Sequence, residues 1–160
     1  MLKATTRIIG LAAVLGALVL APGAEAKAKH SYEADISTAT LQTDNGYPGV
    51  GGTALIAGSL DNSAFGSGAV IDHVTVTGIE GSVVSFEGTE VDYFARGSMR
   101  NEFTGTATIA GDGSQSLAVN GRFTGGTGRY KGAKGRYAFE GNVAAGSTLV
   151  IGHSTGRVSY

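Results

Sequence analysis

Three carboxyls stand where a side chain could work as an acid. Asp72 shares one strand face with Val70, Val74 and Val76, because residues two apart in a strand point the same way. Glu90 and Asp92 share a face with Val84, Phe86 and Phe94. A carboxyl held among apolar side chains loses hydration, which raises its pKa and lets it donate a proton near neutral pH. Asp72 and Glu90 are the candidate catalytic groups. Phe86, Asp92, Phe94 and Tyr137 are the candidate walls of a ligand cavity. The competing reading leaves these acids at strand ends in water.

Other chemistries are poorly served. His73 falls on the face opposite Asp72, and His153 lies in the last strand-like run. Neither has a ligand partner at short spacing and the chain has no cysteine, so no metal site is expected. Glu80, Glu87, Glu90 and Asp92 lack the spacing of a calcium loop. No cofactor is expected. Tyr32, Tyr47, Tyr93, Tyr130 and Phe65 could add aromatic surface to a cavity, although a packed core is the commoner use of such residues.

The elements that must hold these groups are strands. Phe103, Gly105, Ala107 and Ile109 alternate with three threonines, the pattern of a half-buried strand. Leu117, Val119, Gly121 and Phe123 alternate with polar partners in the next run, and Gly111-Asp112-Gly113-Ser114 between them suits a hairpin turn. Further strand-like runs cover 31–41, 52–60, 70–79, 83–94, 136–141 and 147–160. The loop 42–50 contains Asn45-Gly46-Tyr47-Pro48-Gly49 and is expected to be irregular, capping one end. The 27 glycines disfavour helix and suit the turns and bends of a curved sheet. About eight strands with no helix predict a sandwich or a closed barrel.

Residues 1–26 stand apart. Lys3 and Arg7 precede an apolar run over 8–20, and Ala24-Glu25-Ala26 follows, the three-part pattern of a secretory signal peptide. The run is shorter than the roughly 20 residues of a membrane span. The reading is a helical leader that is removed, with one domain over 27–160, no remaining membrane span, and a secreted or periplasmic destination. Without cysteine the chain can be neither a lipoprotein nor stapled by disulfides, so it must rely on its core. Charge is uneven: nine acids and no Lys or Arg lie between Lys29 and Arg96, while eight cations against three acids follow from Arg96 onward, a formal +5. Strands of the two halves are expected to alternate around one sheet and neutralise each other; the alternative is an acidic pole that meets a partner. A near-neutral total makes nucleic acid an improbable partner.

The densest motif is Gly125-Gly126-Thr127-Gly128-Arg129-Tyr130-Lys131-Gly132-Ala133-Lys134-Gly135. It ends in no Gly-Lys-Ser/Thr, and Gly126, Gly128 and Gly132 are one residue too widely spaced for a dinucleotide fingerprint. The residues read as a tight corner between strands, with Gly125, Gly126, Thr127, Gly128, Gly132, Ala133 and Gly135 structural and Arg129, Lys131 and Lys134 in solvent. The segment from Phe123 resembles the "GGTG-(Lys/Arg)-aromatic-x-x-Ala-(Arg/Lys)-Gly" signature of the allene oxide cyclase and dirigent protein group. The stronger part of the likeness covers 103–140. It implies an eight-stranded antiparallel barrel, often trimeric, with a largely apolar cavity. Members of the group fold a flexible substrate for ring closure or steer phenol coupling without a cofactor.

Three functions follow as expectations. The first is a barrel that binds a small apolar or phenolic molecule. The second is a cofactor-free cyclase or isomerase in the same cavity. The third is a solid structural or envelope-interaction barrel.

Overall fold

Alternation of inward apolar and outward polar residues runs through every strand of the described part of the chain, residues 28–160 of a computed structural model. The expected leader lies outside these residues. Eight strands follow in chain order: β1 Lys29–Asp44, β2 Thr53–Asn62, β3 Gly66–Glu80, β4 Val83–Phe94, β5 Gly97–Ile109, β6 Gln115–Gly126, β7 Lys134–Val143 and β8 Leu149–Ser159. Each pairs antiparallel with the next, and β8 pairs back onto β1 from Lys29↔Ser159 to Ala39↔Leu149. The sheet is therefore a closed up-and-down barrel, and closure leaves no unpaired edge. One 3-10 turn, Gly128–Tyr130, is the only helical element among the described residues.

The eight runs expected from periodicity are the eight strands, several of them longer. β5 begins at Gly97, six residues before the Phe103 alternation. β1 runs on to Asp44, so the irregular loop is shorter than expected. Tyr47 and Pro48 from that loop lie over one end of the barrel.

Bulges decide which side chains point inward near that end. The register of β1 against β2 slips between Thr40 and Gln42, and that of β3 against β4 slips between Val76 and Gly78. An extra residue reverses the in–out alternation. Thr38 and Thr40 line the interior before the first slip and Thr43 after it, while Val74 and Val76 give way to Ile79 past the second.

The opposite end is packed solid with rings. Phe65 stacks edge-on against Phe94, Tyr130 and Tyr160, at centroid distances of 5.7, 5.6 and 6.0 Å. Below them Tyr32 meets Phe123 at 5.0 Å. Such edge-to-face pairs each add roughly 0.5–1.5 kcal/mol beyond burial alone. Asn62 sets Phe65 in place by accepting hydrogen bonds from the backbone N–H groups of Ala64 and Phe65, at 2.9 and 3.2 Å.

The glycine-rich corner joins β6 to β7 at this plugged end. Gly128 has φ +54°, and a Cβ there would meet the carbonyl of Arg96, so the corner needs glycine. Thr127 Oγ1 accepts a 3.0 Å hydrogen bond from the Ser98 N–H. Tyr130 and Ala133 are fully buried, whereas Arg129, Lys131 and Lys134 are exposed.

The charge expectation is corrected. The strands follow one another around the barrel, so the acid-rich half, β1–β4, and the cation-rich half, β5–β8, form opposite sides and do not alternate. At the seam between β8 and β1, His153 Nδ1 lies 2.8 Å from Asp35 Oδ1. On the basic side, register places Arg136 directly between Arg122 and Arg157.

Candidate functional site

The half of the barrel away from the aromatic plug is hollow. Its cavity measures about 580 Å³, within the roughly 300–1,000 Å³ usual for small-molecule sites. The walls are mostly apolar: Ile36, Ile56, Val74, Val76, Phe86 and Phe103 on one side, Leu117, Val119, Phe139 and Val150 on the other. Hollowness follows from residue size. Glycines stand inside the barrel beside large rings, so that each ring lies flat across its neighbouring strand. A Cβ at Gly121 would collide with the Tyr137 ring, and one at Gly88 with Phe103. The rings thus line the wall and leave the axis empty. Around the mouth Leu41, Val50, Ile79, Ile109 and Leu149 are exposed, an apolar collar.

The floor is acidic. Asp72 and Glu90 face each other directly across β3 and β4, and both reach the cavity with Tyr137. Like charges directly opposed in a sheet repel. Asp92 lies one inward position further towards the plug and is completely buried. Tyr32 donates to Asp92 Oδ2 at 3.0 Å, and Asn101 Nδ2 donates to the same oxygen at 3.1 Å and to Glu90 Oε1. A single amide on β5 therefore ties the two β4 carboxyls together.

All three acids titrate above the ordinary carboxyl range. Burial pushes Asp72 up to about 7, helped by the nearby charge of Asp92. Burial also raises Asp92, to about 6, although Asn101 and Tyr32 oppose it by stabilising the charged form. Glu90 is raised well above its usual value by burial first, then by repulsion from Asp92 and Asp72. Burial and the same carboxyls push both Tyr32 and Tyr137 up, so these phenols stay protonated. Several buried polar atoms lack any hydrogen-bond partner, among them Asp72 Oδ1 and the Tyr137 hydroxyl, both at the cavity floor.

Of the residues singled out from sequence, Asp72, Glu90, Phe86 and Tyr137 line the cavity. Asp92 and Phe94 do not. Each inward step along β4 from Glu90 leads away from the mouth, so Asp92 sits beneath the floor and Phe94 joins the aromatic plug. The reading that left these acids at strand ends in water is overturned for Glu90 and Asp92, which are buried in mid-barrel. Asn101 is a site residue outside the candidates that the sequence offers. Its signal was available, since the alternation of Phe103, Gly105 and Ala107 extends back through Asn101 to Met99.

Gly152-His153-Ser154-Thr155-Gly156 spells the Gly-x-Ser-x-Gly pattern of a nucleophile elbow. Here it is straight strand, not a strand-to-helix turn. Ser154 is wholly buried and donates to the Ala138 carbonyl at 3.3 Å, while His153 points outward to Asp35. No serine nucleophile is built there. Among the described residues no group of three or more His, Asp or Glu is placed to hold a metal ion, and no helix is long and apolar enough to cross a membrane.

The chain matches no family model, no curated protein and no solved structure. The likeness to the allene oxide cyclase and dirigent group therefore rests on the residues quoted for it.

Proposed function

We propose that this is an exported barrel that binds one small, mainly apolar or aromatic molecule in its interior, without a cofactor. The observation that carries this reading is the cavity of about 580 Å³, open at one end and walled by aliphatic and aromatic side chains. The apolar collar at the mouth gives such a molecule an entry free of charged side chains at those positions. Residues 1–26 support export to the periplasm or beyond, and the corner over 125–135 supports a place beside the allene oxide cyclase and dirigent barrels. A solid structural barrel would fill this space with side chains. A trimer remains an expectation of the resemblance, and sedimentation of the mature chain measures it.

The test is a thermal-shift screen with lipid-like and phenolic compounds on the wild type and on Ala107→Trp, which puts a large ring into the cavity. Binding to the wild type and its loss in the variant support the reading. Silence of the wild type across the whole screen, or equal shifts in both proteins, argues against it.

A second reading, a cofactor-free cyclase or isomerase, is favoured by the raised pKa of Asp72 at the cavity floor. A carboxyl that titrates near 7 can give or take a proton at working pH. This reading requires Asp72→Asn and Glu90→Gln to abolish turnover of any substrate found. Full activity in both removes it.

A further inference from the structure

The floor of the cavity is built from two carboxyls and a phenol, with no cation beside them. Asp72, Glu90 and Tyr137 reach the cavity together; the buried Asp72 Oδ1 and Tyr137 oxygen have no close hydrogen-bond partner, and Asn101 donates to Glu90 Oε1. Tyr137 is itself only 5% exposed, so water outside the barrel does not serve it. The cavity is lined by no Lys, Arg or His. Two carboxyls thus meet a mainly apolar space that opens at one end, with a third carboxyl behind them and no cation facing them. Such carboxyls ionise readily only against a positive partner.

The partners from each strand are as follows. Tyr32 from β1 and Asn101 from β5 serve Asp92 from behind. Asp72 comes from β3, Glu90 from β4 and Tyr137 from β7. β2, β6 and β8 contribute Ile56, Leu117, Val119 and Val150 to the cavity, none of which is charged. No cationic side chain of the barrel faces the floor.

We propose that the occupant is an apolar primary amine, with its protonated nitrogen on the floor against Asp72, Glu90 and Tyr137 and its carbon body along the walls. The inference rests on the binding reading above and names its ligand class. A primary ammonium carries a positive charge, three N–H donors and no acceptor, which suits a floor of two carboxyls and a phenol oxygen. An alcohol or phenol brings a single donor and no charge. A carboxylate would bring a negative charge against two carboxyls that already oppose each other across β3 and β4. A cation also favours the ionised floor, so amine binding near neutral pH expels protons from the carboxyls.

The experiment is isothermal titration of the mature protein with octylamine, octan-1-ol and octanoate at pH 8 and pH 5. The account predicts that octylamine binds at least about tenfold more tightly than octan-1-ol at pH 8, and that octanoate binds weakest. The preference shrinks at pH 5, where the floor is protonated. Titrations near pH 7 in buffers of different ionisation enthalpy report release of protons on octylamine binding. Asp72→Asn reduces the amine-to-alcohol ratio several-fold, and Glu90→Gln does the same if the first variant folds poorly. Glu87→Gln, on the outer surface, leaves the ratio unchanged. Equal affinity for octylamine and octan-1-ol overturns the amine inference and leaves the cavity reading standing. Tighter binding of octanoate overturns it too. No binding of any of the three at either pH overturns the inference and the cavity reading together.

Discussion

The phenol of Tyr32, on β1, donates a 3.0 Å hydrogen bond to Asp92 Oδ2 on β4, joining two strands that are not neighbours in the sheet. The bond runs through the barrel interior, and Asn101 reaches the same oxygen from β5. Replacing Tyr32 by Phe keeps the ring packed on Phe123 and removes only the donor. Loss of one bond to a buried charged group costs about 1–3 kcal/mol. Urea unfolding at pH 8 should show that loss. Asp92 should also titrate higher, because the phenol favours its ionised form. An Asp92 titration identical to wild type, read by carbon NMR, would show that the bond does not form.

Stability should fall as pH rises. Asp72 titrates at about 7 and Asp92 at about 6, and Glu90 is also raised, all above their values in an unfolded chain. Below about pH 4 both states are protonated and the fold bears no penalty from these groups. Between about 4 and 7 the unfolded chain releases protons that the fold retains, so stability drops, on the order of a few kcal/mol in total. Above 7 the Asp72 and Asp92 contributions are flat. Asp72→Asn should match the wild type near pH 4 and melt several degrees higher at pH 8. Calorimetry at pH 4, 6 and 8 gives the comparison, and a variant that melts lower at pH 8 contradicts it.

Gly121 makes room for Tyr137, since a Cβ there would enter the ring. Gly121→Ala should destabilise by about 1–3 kcal/mol through overpacking. The cost should shrink when Tyr137 is also changed to Leu, because the two positions share one space. Strictly additive losses in the double mutant would mean that the ring does not lie over Gly121.

Arg136 stands between Arg122 and Arg157 on the outer surface, and like charges directly across a sheet repel. Arg136→Glu should stabilise the barrel by about 0.2–1 kcal/mol at low salt. The gain should fade at 1 M salt, where the Debye length is about 3 Å. A gain that persists undiminished in high salt has another cause.

Much of the barrel is legible in the chain because its strands are local and alternate cleanly. Phe103 to Ile109 and Leu117 to Phe123 each declare their inward face, and the glycine corner declares the turn between β6 and β7. What periodicity does not give is register. That Asp72 opposes Glu90, and that Asn101 opposes Glu90 from the other side, depends on how three strands align. The slips at Thr40/Gln42 and Val76/Gly78 alter facing in ways that alternation cannot show. Depth along the axis is also hidden. Phe86 and Phe94 share one strand face, yet one walls the cavity and the other fills the plug. The charge asymmetry misled because strand order was unknown; a simple meander keeps the two halves apart.

The central claim is that the hollow end holds a small molecule. The direct measurement is native mass spectrometry of the mature protein recovered from its own host, wild type beside Ala107→Trp, with each protein then titrated with octylamine. The account predicts that the wild type carries or takes up one small molecule per barrel and that the variant takes up none. A wild type that is recovered empty and stays empty under titration would contradict it.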